Sequence, residues 1–344
     1  MHYQKIDKIA LFEPELHHEV LEIFLAYYVH IAENISILTY SENIKYINET
    51  LRFQPNVTWC TFENRKKDER LIKQWISEQS DVDLFVWITL SPSWLNFNVE
   101  KLPVNSMLVI HNYHFWFDYE NHKAPLFHHL KTIWHQWIYF FSYRQKQKRW
   151  LSRFRYWNSL VSFPFLPPQR IPPQHSTSKN NLSVVIPGSI RENGRDYGLV
   201  IQLIEKLPTT MAIELVFLGD ASSHFAQRFL KSIFKIKPIT VIIVHFNHYV
   251  PENLFTFYMQ RATFLWIPLM PFRYYGGVLE KVGFSAITGG LMDAWKFQRK
   301  CFLPFWYPIP SGMEKLVLPY TWIDEIIQHI SESESISQRK LLFE

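Results

Sequence analysis

The chain has 344 residues, 47% of them apolar and 19% charged, a globular composition that suits two domains of about 150–190 residues better than one core. Two cysteines, Cys60 and Cys301, exclude a disulfide framework or a thiolate zinc site and fit a reducing compartment. Lys5, Asp7 and Lys8 interrupt the start, and no uncharged apolar run reaches the roughly 18 residues of a spanning helix, so neither a signal peptide nor a membrane span is expected.

From the N-terminus the pattern is β-α-β. KIALFEP (8–14) reads as a buried strand, HHEVLEIFLAYYVHIAE (17–33) as an amphipathic helix and ISILTY (35–40) as the next strand. VTWCTF (57–62), VDLFVWITL (82–90) and SMLVIHN (106–112) are further short apolar runs, with a helix over 68–79. Short apolar strands alternating with helices predict a parallel sheet in an α/β domain. FPFLPPQRIPPQHSTSKNN (163–181) carries five prolines and reads as a linker. The pattern then restarts with strand LSVVIPG, a helix around 196–207, strand 213–220, helix 224–234 and strand 240–246. Helix 251–261, strand 264–269, helix 289–298 and CFLP complete a second α/β domain of Rossmann type. The expected division is 1–165, 182–325 and a C-terminal tail or helix over 326–344.

All ten glycines lie between Gly188 and Gly312, so the second half approaches something the first half does not. VVIPG ends at the carboxyl end of a strand, where parallel α/β sheets bind ligands, and Gly188 lets the backbone turn close to one. Arg191 and Arg195 follow in the loop that opens the next helix, and arginine forks pair with phosphate oxygens. A second cluster, YYGGVLEKVGFSAITGGLMDAW (274–295), holds five glycines. There Thr288 is placed to cap a helix whose first turn, from Gly289, offers free N–H groups to a phosphate. Lys281 is in reach of the diphosphate, and Asp293, with Glu280, is assigned to ribose hydroxyls. As alternatives, the arginines and the Glu280–Lys281 pair are simply solvated, and Asp293 complements the helix dipole.

The order strand-P-G-x-I with Arg191 and Arg195, FLGD, FLWIPL, then Y-G…E-K-x-G…T-G…D-A-W…CFLP resembles the donor half of GT-B glycosyltransferases. FEPELHHEVLEIFLAYY and LVIHN resemble the opening strand-loop-helix and the histidine-ended strand of the first half of that fold. The resemblance covers nearly the whole chain. It implies two Rossmann-like domains facing across a cleft, a nucleotide-sugar donor, a glycan or lipid-linked acceptor of cell-surface polysaccharide type, and a C-terminal helix returning toward the first domain. One departure concerns the two glutamates that flank the ribose segment in the commonest retaining pattern: Ser285 stands near the first and Asp293 at the second. Catalytic candidates at the strand ends of the first domain are His111, Glu15 and His17, with Asp118 beside them. Neither an essential metal nor a cofactor is expected. Alternatives are a sugar-nucleotide epimerase of the same fold and a non-catalytic membrane-associated partner.

Residues 121–191 contain eleven Lys and Arg and no Asp or Glu. Within them, 133–157 sets Trp134, Trp137 and Phe141, then Trp150, Phe154 and Trp157, at helical spacing, with Lys146, Lys148 and Arg149 between. Such a helix lies in the interface of an anionic membrane, or else its aromatics are core. Nucleic acid is not the expected partner. A cytoplasmic protein, peripheral on the inner face of the membrane, is the resulting expectation.

Overall fold

The computed structural model describes residues 6–89, 94, 102–103, 105–110, 155–158, 182–275, 278–284, 286 and 288–343. His111, Asp118, Ser285, the linker 163–181 and all of 133–154 lie outside the described residues. The chain divides into two units, Met1–Leu166 and Pro167–Glu344.

The first unit runs β1 (Ile6–Glu13), α1 (His18–Tyr28), β2 (Ala32–Tyr40), α2 (Ser41–Tyr46), α3 (Glu49–Arg52), β3 (Val57–Phe62), α4 (Glu69–Glu78), β4 (Leu84–Trp87), β5 (Ser106–Ile110) and β6 (Arg155–Asn158). These strands form a parallel sheet in the order β3-β2-β1-β4-β5-β6. Ile9 to Phe12 are buried on both faces of β1, as strands covered on both sides require. Phe12 packs edge-on against Trp87 at 4.5 Å and Trp94 at 5.5 Å. Helix α1 stops five residues before the expected end, because β2 already pairs with β1 from Ala32. Trp157, expected on a helix with Trp150 and Phe154, lies instead on β6, whose backbone pairs with β5 from Met107 to Ile110.

The second unit runs β7 (Leu182–Pro187), α5 (Tyr197–Lys206), β8 (Ile213–Asp220), α6 (His224–Ile236), β9 (Val241–Phe246), α7 (Glu252–Arg261), β10 (Phe264–Trp266), β11 (Phe272–Tyr275), β12 (Val278–Lys281), α8 (Gly289–Phe297), β13 (Cys301–Pro304), β14 (Val317–Tyr320) and α9 (Ile323–Phe343). Its parallel sheet has the order β14-β13-β10-β7-β8-β9, and β11 with β12 forms a separate hairpin. Val184, Ile186, Leu215, Phe217, Trp266 and Phe302 build a core with Ile326 and Ile330 of α9, so the first half of that helix packs on its own unit. Asp196 caps α5 by accepting from Gly198 and Leu199 N–H, and Ser223 caps α6 by accepting from Ala226 N–H.

With strands numbered within their own sheet, each sheet has the order 3-2-1-4-5-6. This is the doubly wound arrangement of two Rossmann-like units, the fold class expected from the sequence. The order reverses between β1 and β4 in one sheet and between β7 and β10 in the other. Crevices at the carboxyl ends of those strand pairs are where such sheets hold ligands.

Candidate functional site

In the second unit the reversal point is built around Gly188. The residue has φ +94°, and its N–H donates to Leu218 O at 2.9 Å. A Cβ on Gly219 would stand 2.2 Å from the Gly188 carbonyl carbon, so both glycines are needed for the β8 backbone to press on this turn. Arg195 folds back over the turn. Its Nη2 donates to Pro187 O, and its backbone bridges to Leu269 beyond β10. Burial pushes the guanidinium below its ordinary value, opposed by the charges of Tyr197 and Asp293. Nη1 is shielded from water and has no hydrogen-bond partner. The residue as a whole is half-buried, while this nitrogen is itself shielded.

Helix α8 brings the second cluster to the same place. A Cβ on Gly290 would meet Ile267 Cδ1, just past β10, at 3.0 Å, and Asp293 one turn in acts on Arg195 by charge. Thr288 occupies the N-cap position, but its side chain makes no capping bond, and a Cβ on Gly289 would meet nothing within 4 Å. Arg191 is exposed, and its charge acts on Asp220 and Tyr197. Gly188, Arg195, Thr288, Gly289 and Asp293 therefore gather at one reversal point, with Arg191 at its margin.

The glycine-rich segment before α8 is a hairpin rather than a loop. Asn193 clamps it to the arginine loop, its Nδ2 donating to Tyr274 O at 2.6 Å and its Oδ1 accepting from Tyr274 N–H at 3.0 Å. Lys281 points outward on β12, with Nζ 4.1 Å from the centre of the Phe284 ring. Glu280, expected at the ribose or as half of a solvated pair, is fully buried in register with Arg273, and as the protein stands it offers no surface to a sugar.

The reversal point of the first unit holds a cluster that centres on an unexpected residue. Glu13 ends β1 fully buried; its Oε2 accepts from the Thr89 hydroxyl at 2.7 Å and its Oε1 from Glu15 N–H at 2.8 Å. Thr89 follows β4, so this bond spans the β1–β4 crevice. Burial pushes the Glu13 carboxyl up to about 8, against the charge of His17 and the Thr89 hydrogen bond. Glu15 accepts the Trp94 indole N–H at 2.9 Å, and its carbonyl accepts from Asn43 Nδ2 at 2.7 Å. His17 Nδ1 lies 3.1 Å from Glu19 Oε1. That bond pushes His17 up to about 9, against the cost of its partial burial, so the imidazole is protonated at neutral pH. Half of its side-chain surface is open to water, which screens these interactions. The sequence does carry a signal for Glu13, a lone carboxylate inside an apolar strand run.

Among the described residues no three His, Cys, Asp or Glu side chains stand together as metal ligands, and no helix is long and apolar enough to cross a membrane.

No family model matches the chain, and no curated protein matches its sequence. Solved structures do. Anabaena HepE in complex with UDP-glucose is 10% identical, with 96% of this chain and 90% of that one covered at a TM-score of 0.46. The lipopolysaccharide outer core galactosyltransferase WaaB is 11% identical, with 95% and 90% covered at 0.40. Staphylococcus aureus MnaA with UDP is 9% identical, with 95% and 87% covered at 0.43. At these scores the likeness is loose, and what the site can do is derived from this chain's own geometry.

Proposed function

We propose that the chain is a GT-B glycosyltransferase that moves a sugar from a nucleotide-sugar donor to a glycan or lipid-linked acceptor. One observation carries the reading: the unpartnered Nη1 of Arg195 beside the Gly188 turn, at the carboxyl ends of parallel strands. A buried N–H without an acceptor is costly, and a diphosphate oxygen arriving there relieves that cost with a charge-assisted bond. The uncapped first turn of α8, open at Gly289, supports an anion in the same place. Arg191 and Lys281 are the proposed further cations, and Asp293 the proposed ribose contact.

In the first unit we assign the acceptor side to Glu15 and His17. A base must be unprotonated to accept the acceptor hydroxyl's proton, and His17 is held charged by Glu19, so Glu15 takes that role and His17 is its cationic neighbour. For transfer with inversion, the acceptor oxygen bonds to the anomeric carbon as the bond to the donor phosphate oxygen breaks. The electron pair leaves on the diphosphate at Arg195, where fixed donors stabilise it, and the proton goes to Glu15. No metal or cofactor step is proposed. His111, the anionic membrane contact through 133–157 and the cytoplasmic location remain proposals from the sequence.

The test is turnover. Nucleotide sugars are supplied with and without glycan acceptors, and nucleoside diphosphate release is followed. Release that depends on an acceptor is the expected result, and E15Q should lower kcat roughly a hundredfold or more while leaving donor affinity unchanged. Wild-type kcat in E15Q removes Glu15 from the mechanism. Release of no nucleoside diphosphate from any donor overturns the transferase reading.

A further inference from the structure

Helix α6 and the edge strand β9 carry a surface that the donor site does not use. Residues 221–251 contain no Asp or Glu and four Lys or Arg. His224, Arg228, Lys231 and Lys235 recur at helical spacing along α6, and with Gln227, Phe234 and His245 they line a groove of about 610 Å³ beside β9. Arg228, Lys231 and Lys235 are exposed and form no ion pair with any described residue. His245 lies edge-on to Phe234, and its Nδ1 is shielded from water without a hydrogen-bond partner.

An exposed basic helix face alone is an ordinary solvated surface. Here it borders large apolar side chains that face water. Phe234 is 43% exposed and Ile236 39%, while Ile239, at the turn into β9, is 95% exposed. That turn lies at the amino ends of the strands, away from the Gly188 crevice at their carboxyl ends. Cations flanking a protruding aliphatic tip match a bilayer surface, where lipid phosphates meet the acyl boundary. A soluble phosphate compound accounts for the cations but leaves Ile236 and Ile239 uncovered. Nucleic acid calls for stacking aromatics, and Phe234 is the one aromatic ring, other than histidine, that lines the groove.

We propose that the α6–β9 edge of the second unit docks on an anionic lipid bilayer, with Arg228, Lys231 and Lys235 on lipid phosphates and Ile239 in the acyl boundary. This surface is separate from 133–157 and from the donor site.

The test is sedimentation of the full chain with vesicles of phosphatidylcholine alone, or with about one third phosphatidylglycerol. Wild type should bind the anionic vesicles and be released by salt. Each cation near such a surface is worth about fivefold in partition, so R228Q/K231Q/K235Q should bind at least tenfold more weakly. I239S should also weaken binding, and both variants should keep the wild-type melting temperature and nucleotide affinity. K146Q/K148Q/R149Q serves as the comparison, because an anchor confined to 133–157 would be lost there and spared in the α6 variant. Unchanged vesicle binding in the α6 triple variant overturns the proposal, as does a wild type that ignores anionic vesicles at low salt. If inorganic polyphosphate abolishes binding and I239S matches wild type, the groove is a soluble-anion site and the bilayer assignment is wrong.

Discussion

Glu13 is a carboxyl group fully buried at the end of β1. Burial holds it protonated to about pH 8, whereas in the unfolded chain it ionises near 4.5. The folded state therefore binds the extra proton between those limits, and stability from this group is full below pH 4.5 and lost as pH rises toward 8. Each pH unit in the window is worth about 1.4 kcal/mol, which sets an upper bound of about 5 kcal/mol. His17 works in the same direction between its ordinary 6.5 and about 9, weakened by its exposure. The amide of E13Q keeps the shape without the titration. Chemical denaturation at several pH values should show E13Q gaining on wild type by several kcal/mol between pH 5 and 9. Parallel stability curves would mean that Glu13 is not held neutral. The carboxylate in KIALFEP is visible in the sequence, but Thr89 lies 76 residues away, and that partner cannot be read from a strand pattern.

Among the elements, the β7 turn and β8 form the tightest contact of the donor site. An added methyl at Gly219 meets the backbone of Gly188 at 2.2 Å, and backbone cannot rotate aside as a side chain can. G219A should cost more than ~2 kcal/mol in thermal or urea unfolding and open the Gly188 turn. A loss within about 0.5 kcal/mol would show that β8 can retreat from the turn. The strands themselves were legible: β8 has the bounds of the IELVFLGD run, because a strand buried on both faces is a continuous apolar run, and the edge strand β3 has those of VTWCTF through its β-branched and aromatic residues. The β11–β12 hairpin was missed, although FRYY-GG-VLEK has two alternating runs around a glycine pair; Phe272 and Tyr274 are exposed and Glu280 is buried. Strand β14 was hidden by Pro319, which an edge position tolerates. Helices α2 and α3 have six and four residues, too short to show a helical period.

At the scale of the whole molecule, one chain winds the same strand order twice, without a sequence repeat to announce it. Composition and the alternation of strands with helices were enough to predict two α/β units. The placement of the arginines was legible only in part. Gly188 and the two arginines marked the loop, but which arginine turns inward depends on Pro187 O and Leu269, from β7 and beyond β10. Arg191 stays exposed while Arg195 is tied to the scaffold, so Arg195→Ala would disturb the fold as well as the site. R195K is the cleaner probe, since lysine keeps the cation but lacks the planar fork that sets one nitrogen on Pro187 O and leaves the other for a phosphate.

The most direct measurement is calorimetric titration of wild type and R195K with a panel of nucleoside diphosphates. Wild type should bind at least one of them, and R195K should bind it with an affinity lower by more than ~1.5 kcal/mol, about tenfold, while still melting as a folded protein. Equal affinity in the two proteins, or no binding by wild type to any nucleoside diphosphate, would contradict the placement of a diphosphate at Arg195.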